Sequence, residues 1–178
     1  MQRLETKNLK LRRMEDGDIN DLFEMRKDPR MIEFTDSKID ASIDETKAYV
    51  DKMNKGIDDN QWVIWAIELK ESSQVIGSIS IWNLNKEERS GELGYGIIPD
   101  YQGKGLMKEA LLNVADYGFH KMNLEDLYAY TEVNNIKSIK LLEKCNFREV
   151  DRIKEEGYYN KKTYEMAIYK LHQLELDL

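Results

Sequence analysis

Two glycines and a lysine ahead of a helix are the residues with the clearest capacity for chemistry in this chain. Gly103, Lys104 and Gly105 follow a strand pattern and precede a helical one within the segment Gly94–Ala110. The first amide groups of a helix have no partner inside it, the helix dipole favours negative charge there, and glycine lets the backbone come close to a ligand. The segment can therefore hold a pyrophosphate, to which Lys104 would add a positive charge.

An isolated Gly-x-Gly is more often only a tight turn between a strand and a helix. The Walker pattern Gly-x4-Gly-Lys-Ser/Thr is absent from the sequence, and so is the dinucleotide pattern Gly-x-Gly-x-x-Gly. A phosphate site of either of those two kinds is not predicted, and the simple turn stays as the alternative.

Hydrophobic periodicity predicts the elements that must position this loop. Asp18 is the predicted N-cap of a first helix, and Ser42 and Glu45 have the spacing of a capping box for a second helix that ends near Gly56. The whole order, β-α-α-β-β-β-α-β-α-β-β, predicts an α/β (α+β) fold with a mixed, mostly antiparallel sheet flanked by helices. A first strand is predicted around Leu9 and Leu11. The later strands are predicted at Trp62–Leu69, Val75–Trp82, Glu92–Ile98, Leu127–Glu132, Arg148–Glu155 and Thr163–Leu171. Two later helices are predicted at Gly105–His120 and Ile136–Cys145.

Length and composition predict one folded domain. The chain has 178 residues, of which 41% are hydrophobic and 34% charged, as in folded globular proteins. We expect a single domain over residues 1–172 and a C-terminal tail over residues 173–178. There is no secretory signal and no apolar stretch of bilayer length, and Cys145 is the only cysteine, so the cytoplasm is the expected compartment and no membrane is expected as a partner.

The formal net charge of −7 argues against nucleic acid as a partner, because its phosphates need a basic protein face. The charge suits a cationic substrate such as an amine, although a negative charge also simply keeps a protein dispersed in water. His120 and His172 lie outside any motif, and with a single cysteine the chain offers no cluster of ligands for a metal.

Two motifs in the right order resemble those of the GNAT superfamily of acyl-CoA N-acyltransferases. Gln102 and Gly105 fall on the first two marks of a segment that resembles the family's motif A, Gln/Arg-x-x-Gly-x-Gly/Ala, and Glu92-Leu93-Gly94-Tyr95 resembles the strand that ends in the acetyl-CoA site. Further on, Asn135-Ile136-Lys137-Ser138 and Glu143-Lys144-Cys145-Asn146-Phe147 resemble Asn-x-x-Ser…Glu-Lys-x-Gly-Phe. The resemblance covers nearly the whole chain and is nearest to the branch with ribosomal-protein N-terminal acetyltransferases (the RimJ/RimL type) and spermidine acetyltransferases.

The resemblance implies a GNAT-like fold that uses acetyl-CoA as the acetyl donor. Two strands, Glu92–Ile98 and Leu127–Glu132, would splay to accept the pantetheine arm, with backbone groups of Ile97 and Ile98 bonded to it and an amide near Ile98 stabilising the oxyanion. Asn135 would contact the cofactor, or would serve only as a helix N-cap. The pyrophosphate would be held by the amides of Gln102, Gly103, Lys104, Gly105, Leu106 and Met107.

Acetyl transfer needs a neutral amine, whereas free amines are mostly protonated at neutral pH. Glu92 is the expected base by its place in the motif strand, with a solvated strand-end charge as the alternative reading. Glu132 and Glu165 are weaker candidates on neighbouring strands. Ser138 is the candidate acid, although it can be only a polar residue of a helix turn, and a thiolate with a pKa near 8.5 can also leave unassisted.

Three positions depart from the family pattern. Met107 stands where glycine or alanine is usual and would either crowd the phosphate loop or point into the helix packing. Asn146 replaces a glycine, in a turn that asparagine tolerates. Leu142 occupies the place where many members have a tyrosine thought to protonate the leaving thiolate.

The acceptor is predicted to be a protein or peptide N-terminal amine, attacked directly in a ternary complex. A polyamine or another small amine is the alternative, and a non-catalytic acyl-CoA-binding protein is an alternative from a different class. Recognition of the acceptor is expected from the variable segments 28–41 and 83–91. The exposed strands near the C-terminus would allow a homodimer.

Overall fold

Eight strands form a single sheet in the computed structural model, which describes residues 1–178. The spatial order is β1-β2-β3-β4-β5-β6-β8-β7, and all neighbours are antiparallel except β5 and β6, which are parallel. The predicted fold class and mostly antiparallel sheet are confirmed. The bounds are β1 Leu4–Glu5, β2 Leu9–Arg12, β3 Val63–Leu69, β4 Val75–Asn85, β5 Ser90–Ile97, β6 Asp126–Glu132, β7 Arg148–Glu156 and β8 Thr163–His172.

Four α-helices cover the two faces of the sheet. They are α1 Ile19–Arg26, α2 Ile43–Asp58, α3 Leu106–His120 and α4 Ile136–Lys144. None of them is long and apolar enough to cross a lipid bilayer. Beyond β8, Gln173–Glu175 form a short 3-10 helix, and Leu176 packs against the main core.

Alternation along the strands divides the core into two clusters. Trp65 and Ile67 of β3 belong to the larger cluster with α3 and α4, while Ile64 and Ala66 belong to the smaller one with α1 and α2. Because successive side chains of a strand point to opposite faces, this pattern places α1 and α2 on one face and α3 and α4 on the other. The site described below uses both faces.

Helix starts are capped differently from the sequence prediction. Asp18 stands at the N-cap of α1, but its side chain does not cap that helix; it accepts hydrogen bonds from two nitrogens of Arg12 at 2.7 and 2.8 Å. Ser42 caps α2 without a side-chain bond, and the Glu45 carboxylate accepts from the amide of Ala41 at 2.7 Å. The capping box was therefore wrong, and Asp18 is occupied because the half-buried Arg12 charge needs a carboxylate partner.

Helix α2 continues to Asp58, past the end predicted at Gly56. A methyl group at Gly56 would lie 2.0 Å from the Trp62 ring, so this glycine lets the indole pack against the helix. Trp62 Nε1 donates to the Met53 carbonyl at 3.0 Å, which keeps Trp62 outside β3. The glycine that suggested a helix end serves close packing instead.

Strands β4 and β5 extend further into their connection than the predicted turn 83–91 allowed. Pairing continues beyond an irregularity between Trp82 and Asn85, and β5 begins at Ser90. Asn83 has a φ of 47°, a left-handed conformation that asparagine tolerates better than most residues. The two-residue strand β1 was not predicted, because so short a segment has no periodicity to detect.

Candidate active site

Strands β5 and β6 separate midway along their length. Their parallel pairing ends at Leu93 and Ala129. Beyond that pair, β5 continues along β4 as far as Ile97, and β6 continues along β8 as far as Glu132. A slot therefore opens between the two strands, as the resemblance implies.

Ile98 does not serve this slot as predicted. Its N–H donates to the Ile76 carbonyl at 2.8 Å, and its own carbonyl accepts from the Tyr101 amide at 2.9 Å. Successive residues of a strand point their backbone groups to opposite edges, so Ile97 is the residue that faces the slot. The Ile97 carbonyl accepts from Gln102 Nε2 at 3.1 Å, which leaves the Ile97 N–H directed at the slot.

The phosphate loop, Pro99–Gly105, joins the end of β5 to the start of α3. The amides from Gly103 to Lys108 donate no hydrogen bond within the chain, whereas the Gln102 amide, predicted among the pyrophosphate donors, donates to the Pro99 carbonyl at 3.1 Å. The first bond of α3 runs from the Glu109 amide to the Gly105 carbonyl at 3.1 Å. Gly103 and Gly105 have φ values of 75° and 77°, and a methyl group on either would meet no atom within 4 Å. This bare, open stretch of unpaired donors fits an anionic group such as a pyrophosphate.

Glu92 lies at the mouth of the slot, directly before the last residue of β5 that pairs with β6. It is half-buried and faces the side of the sheet that carries α1 and α2, opposite to Leu93. Burial raises the pKa of the Glu92 carboxyl, and the nearby Glu155 raises it further, while a hydrogen bond from Asn83 at 3.3 Å opposes both. A carboxylate with a raised pKa is a stronger base once ionised.

An acidic cavity of about 330 Å³ adjoins Glu92 on the same face. Three carboxylates line it, those of Glu88, Glu92 and Asp151, together with the rings of Tyr128 and Tyr130. No lysine or arginine lines this cavity. The combination of carboxylates and aromatic rings suits a cation on an apolar stem.

Residues 8–148 match the acetyltransferase (GNAT) domain family, in agreement with the slot and the phosphate loop. The chain belongs to the GNAT acetyltransferases. It is therefore an N-acetyltransferase that takes its acetyl group from acetyl-CoA.

Relatives of this GNAT acetyltransferase support the assignment over nearly its full length. The uncharacterized N-acetyltransferase YoaA of Bacillus subtilis (strain 168) is 26% identical over 168 residues, which is 94% of this chain and 95% of that protein. Spermidine N-acetyltransferase from Vibrio cholerae, solved in complex with CoA and spermine, superposes with a TM-score of 0.81 at 27% identity, over 94% of this chain and 97% of the other. Ribosomal-protein-S5-alanine acetyltransferase from Vibrio fischeri has a TM-score of 0.85 at 20% identity over the full length of both chains, a likeness of fold.

Gln102 connects the phosphate loop of this GNAT acetyltransferase to its surroundings. Its side chain donates to the Ile97 carbonyl and accepts from Lys137 Nζ of α4 at 3.3 Å. Lys104 is exposed, with its Nζ 5.1 Å from the centre of the Tyr101 ring. Gln102 thus fixes the loop between β5 and α4, while Lys104 is free to meet a ligand from outside.

The three departures from the family pattern now have structural explanations. The Met107 side chain is 7% exposed and packs in the main core, as does the neighbouring Leu106, so neither crowds the phosphate loop. Asn146 has a φ of 66°, the left-handed conformation expected where the family has glycine. Leu142 is fully buried in the core and offers no polar group.

Asn135 and Ser138 begin helix α4 beside the slot. Asn135 is the N-cap of the helix, and its Oδ1 accepts from the Ser138 amide at 3.3 Å. The N-cap reading of Asn135 is confirmed, and its contact with the cofactor stays a prediction. Ser138 is half-buried.

The two weaker candidates for the base are less suitably placed than Glu92. The Glu132 carboxylate accepts from the Asn134 amide at 2.6 Å and from its side-chain nitrogen at 3.0 Å, so it closes a local turn. Glu165 lies on β8 with its carboxylate 3.9 Å from Arg152 and 44% exposed. Neither carboxylate borders the acidic cavity.

The segment between Met31 and Asp36, called the strap below, crosses the slot on the face of α1 and α2. At one end, a methyl group on Gly96 of β5 would lie 3.3 Å from Met31 Cε. At the other end, the Asp36 carboxylate accepts from the amides of Tyr158 and Tyr159 at 2.6 and 3.0 Å. The slot lies between β5 and β6, and the β7–β8 turn that holds Asp36 is on its far side, so the strap roofs the slot.

Sequence reasoning missed Tyr95. Its hydroxyl lies 2.6 Å from Ser138 Oγ, a contact between β5 and α4 across 43 positions of the chain. The motif Glu92-Leu93-Gly94-Tyr95 contains this tyrosine, but nothing in the sequence indicates that it meets Ser138. No group of three or more histidine, cysteine, aspartate or glutamate side chains is arranged to hold a metal ion.

Proposed function

We propose that this GNAT acetyltransferase acetylates a primary amine that carries more than one positive charge, of which a polyamine is the simplest. The acidic cavity carries the proposal, because three carboxylates line it, one of them Glu92 at the mouth of the slot, with no basic residue among them. One carboxylate would face the reacting amine and the others a second, distant cation. The similarity to a spermidine N-acetyltransferase solved with spermine supports the same acceptor.

In this proposal the chain holds acetyl-CoA mainly through its backbone. The amides of the segment Gly103–Met107 would bond the pyrophosphate, the pantetheine arm would lie in the slot beside Ile97, and Gln102 would keep the loop in place. Asn135 would contact the cofactor from α4, and Lys104 would add positive charge. Acetyl-CoA supplies the activated acetyl group.

Glu92 would accept the proton that the amine must lose, either directly or through one water. Its raised pKa keeps the carboxylate basic, and at the mouth of the slot it would lie beside the reacting carbon. Ser138 would donate a hydrogen bond to the departing sulfur. The Ile97 N–H would face the developing oxyanion in place of the Ile98 amide.

A protein or peptide N-terminal amine, as in the RimJ/RimL branch, is the second candidate. An α-amine has an ordinary pKa near 7.7–8.0, against about 10.4 for an alkylamine, so a site with one carboxylate deprotonates it more easily. The single base Glu92 and the apolar Leu142 favour this second candidate.

The cytoplasmic location of the protein and a homodimer formed through the exposed strands near the C-terminus remain predictions.

The test compares kcat/KM for spermidine, for n-butylamine and for short peptides that begin with alanine or serine, with acetyl-CoA as donor. We expect spermidine to exceed the peptides tenfold or more, which is about 1.4 kcal/mol of transition-state preference. Glu88→Gln and Asp151→Asn should each lower spermidine turnover about two- to fivefold, the range for exposed charge pairs, and leave n-butylamine unchanged.

Glu87→Gln is the matched control, because Glu87 is exposed but does not line the acidic cavity. A preference for the peptides would establish the second candidate instead. Binding of acetyl-CoA without turnover of any amine in a broad panel would favour the non-catalytic alternative.

A further inference from the structure

The contact between Tyr95 and Ser138 spans the slot where β5 has already left β6. Tyr95 lies two residues beyond Leu93, the last residue of β5 that pairs with β6, and Ser138 lies in the first turn of α4. Leu93, Tyr95 and Ile97 share the face of β5 that packs towards α3 and α4. The two hydroxyls, 2.6 Å apart, therefore meet at the α4 side of the slot.

The direction of this hydrogen bond follows from the chemistry of the two groups. Burial raises the pKa of Tyr95 to about 12, so its phenol keeps its proton throughout the neutral range. A phenol is a better donor than an aliphatic hydroxyl, and the Ser138 oxygen has two lone pairs to accept. Tyr95 therefore donates, and Ser138 Oγ accepts.

Ser138 keeps its own hydroxyl proton for another acceptor. Its hydroxyl bonds to no backbone carbonyl of the preceding turn, which is the usual partner of a helical serine. Its backbone N–H is bound to Asn135 Oδ1 and does not compete. With Tyr95 fixed on one side of the oxygen, the free O–H is directed away from Tyr95.

We infer that Tyr95 is a positioning residue that holds the Ser138 hydroxyl as a hydrogen-bond donor to the sulfur of CoA. The inference rests on the proposed role of Ser138. As the nitrogen–carbon bond forms and the carbon–sulfur bond breaks, the electron pair goes to sulfur, and the amine proton leaves through Glu92 to water. The Ser138 hydrogen bond stabilises the resulting thiolate without a further proton transfer. This pair supplies the polar group that Leu142 lacks.

The first test measures the pKa of the CoA thiol bound to the protein, by ultraviolet absorbance of the thiolate and with desulfo-CoA as the blank. We expect the bound thiol to titrate at a lower pKa than the thiol of free CoA, and Tyr95→Phe and Ser138→Ala each to raise the bound value by about one unit, a tenfold change in acidity. Cys145 does not interfere, because burial raises its pKa to about 11. Tyr117→Phe removes a half-buried phenol hydroxyl from α3, where the ring packs against Trp65 of β3, and should leave the thiol unchanged.

The second test is a double-mutant cycle on kcat. Ser138→Ala should lower kcat about 10- to 100-fold and Tyr95→Phe about tenfold, while Tyr95→Phe should have no further effect in the Ser138→Ala background. Ser138→Thr keeps the hydroxyl and should retain activity only when Tyr95 is present. If the Tyr95–Ser138 hydrogen bond only held α4 against β5, the losses in kcat would be additive and the variants would have lower melting temperatures.

An unchanged thiol pKa in Tyr95→Phe would overturn the inference, and if that variant does not fold, an unchanged pKa in Ser138→Ala overturns it equally. The thiol measurement needs no acceptor. Failure of the proposed polyamine activity would therefore leave this result intact, and the two failures can be told apart.

Discussion

The two sides of the active site are made of different parts of the polypeptide. On the cofactor side, one continuous segment from β5 through the phosphate loop into α3 presents backbone groups, and side chains such as Met107 turn away into the core. On the proposed acceptor side, carboxylates and rings come from the connection between β4 and β5 and from β5, β6 and β7, and the strap comes from the connection between α1 and α2.

This difference determines what a substitution can do. A backbone site tolerates most side chains and fails when the conformation of the backbone changes. A side-chain site loses one contact at a time, because each carboxylate contributes its own charge.

The largest effect should come from the cofactor side. Gly105→Val should abolish acetyl-CoA binding and leave the protein folded, because a β-branched residue is strained at a φ of 77° while a Cβ atom there would meet no atom within 4 Å. Titration calorimetry with acetyl-CoA measures the loss. Gly17→Val is the control, since that glycine is exposed, has equally open surroundings and lacks a positive φ. Unchanged affinity would mean that the loop is only a turn.

Glu92→Gln should have the next largest effect, and on the acceptor side alone. If Glu92 is the base, kcat/KM at neutral pH should fall roughly 10²- to 10⁴-fold, with acetyl-CoA affinity unchanged. In the wild type, kcat/KM should rise with pH as Glu92 loses its proton, at a pKa above the ordinary glutamate value because burial disfavours the charge. That limb of the profile should vanish in the variant.

The same substitution makes a prediction about stability. A carboxyl whose pKa is raised on folding destabilises the folded state above the unfolded pKa of about 4.3, where the unfolded chain is ionised. Glu92→Gln should therefore raise the melting temperature at neutral pH, and the difference in melting temperature from the wild type should disappear in acid.

A pH–rate profile of Glu92→Gln that matches the wild type would contradict the kinetic prediction. The role of the base would then move to Glu132, to Glu165 or to no single residue.

The same division explains which features the sequence could predict. The strand, the loop and the start of α3 are contiguous, so the glycines and Gln102 could be recognised from local spacing. The engagement of the Ile98 backbone with Ile76 and Tyr101 depends on strand alternation whose exact register is invisible in the sequence. Glu92 was predicted as the base only because it lies in the same motif, and that role stays a prediction.

The acceptor side depends on contacts between distant segments. Asp36 meets a turn more than a hundred residues away, and Tyr95 meets Ser138 on another element. Neither contact produces a recognisable spacing in the sequence, because the number of residues between the two partners depends on how the strands are ordered in the folded sheet. Asp18 shows the same limit, since a local cap was predicted, whereas its carboxylate accepts hydrogen bonds from the half-buried Arg12.

The smallest of these effects should come from the strap. Asp36 holds it to the β7–β8 turn through two amides, and Lys38 Nζ lies 4.9 Å from the centre of the Tyr159 ring. Hydrogen bonds to a charged group contribute about 1.5–3 kcal/mol each when sheltered and less at a half-exposed position. Asp36→Ala should therefore loosen the roof over the slot without unfolding the chain.

A loosened roof leaves the acceptor less well oriented. The phosphate loop is joined to the opposite end of this segment, where Arg30 lies 3.9 Å from Asp100, and not to Asp36. We expect Asp36→Ala to raise the KM for spermidine about three- to tenfold, or about 0.7–1.4 kcal/mol, with the Kd of acetyl-CoA unchanged. Asp36→Asn retains one acceptor oxygen, so its KM for spermidine should lie between those of Asp36→Ala and the wild type. Steady-state kinetics with calorimetry on the same preparations measures both quantities. Equal losses in acceptor and acetyl-CoA binding would show that the strap supports both sides, and the division between them would then not hold at this point of the molecule.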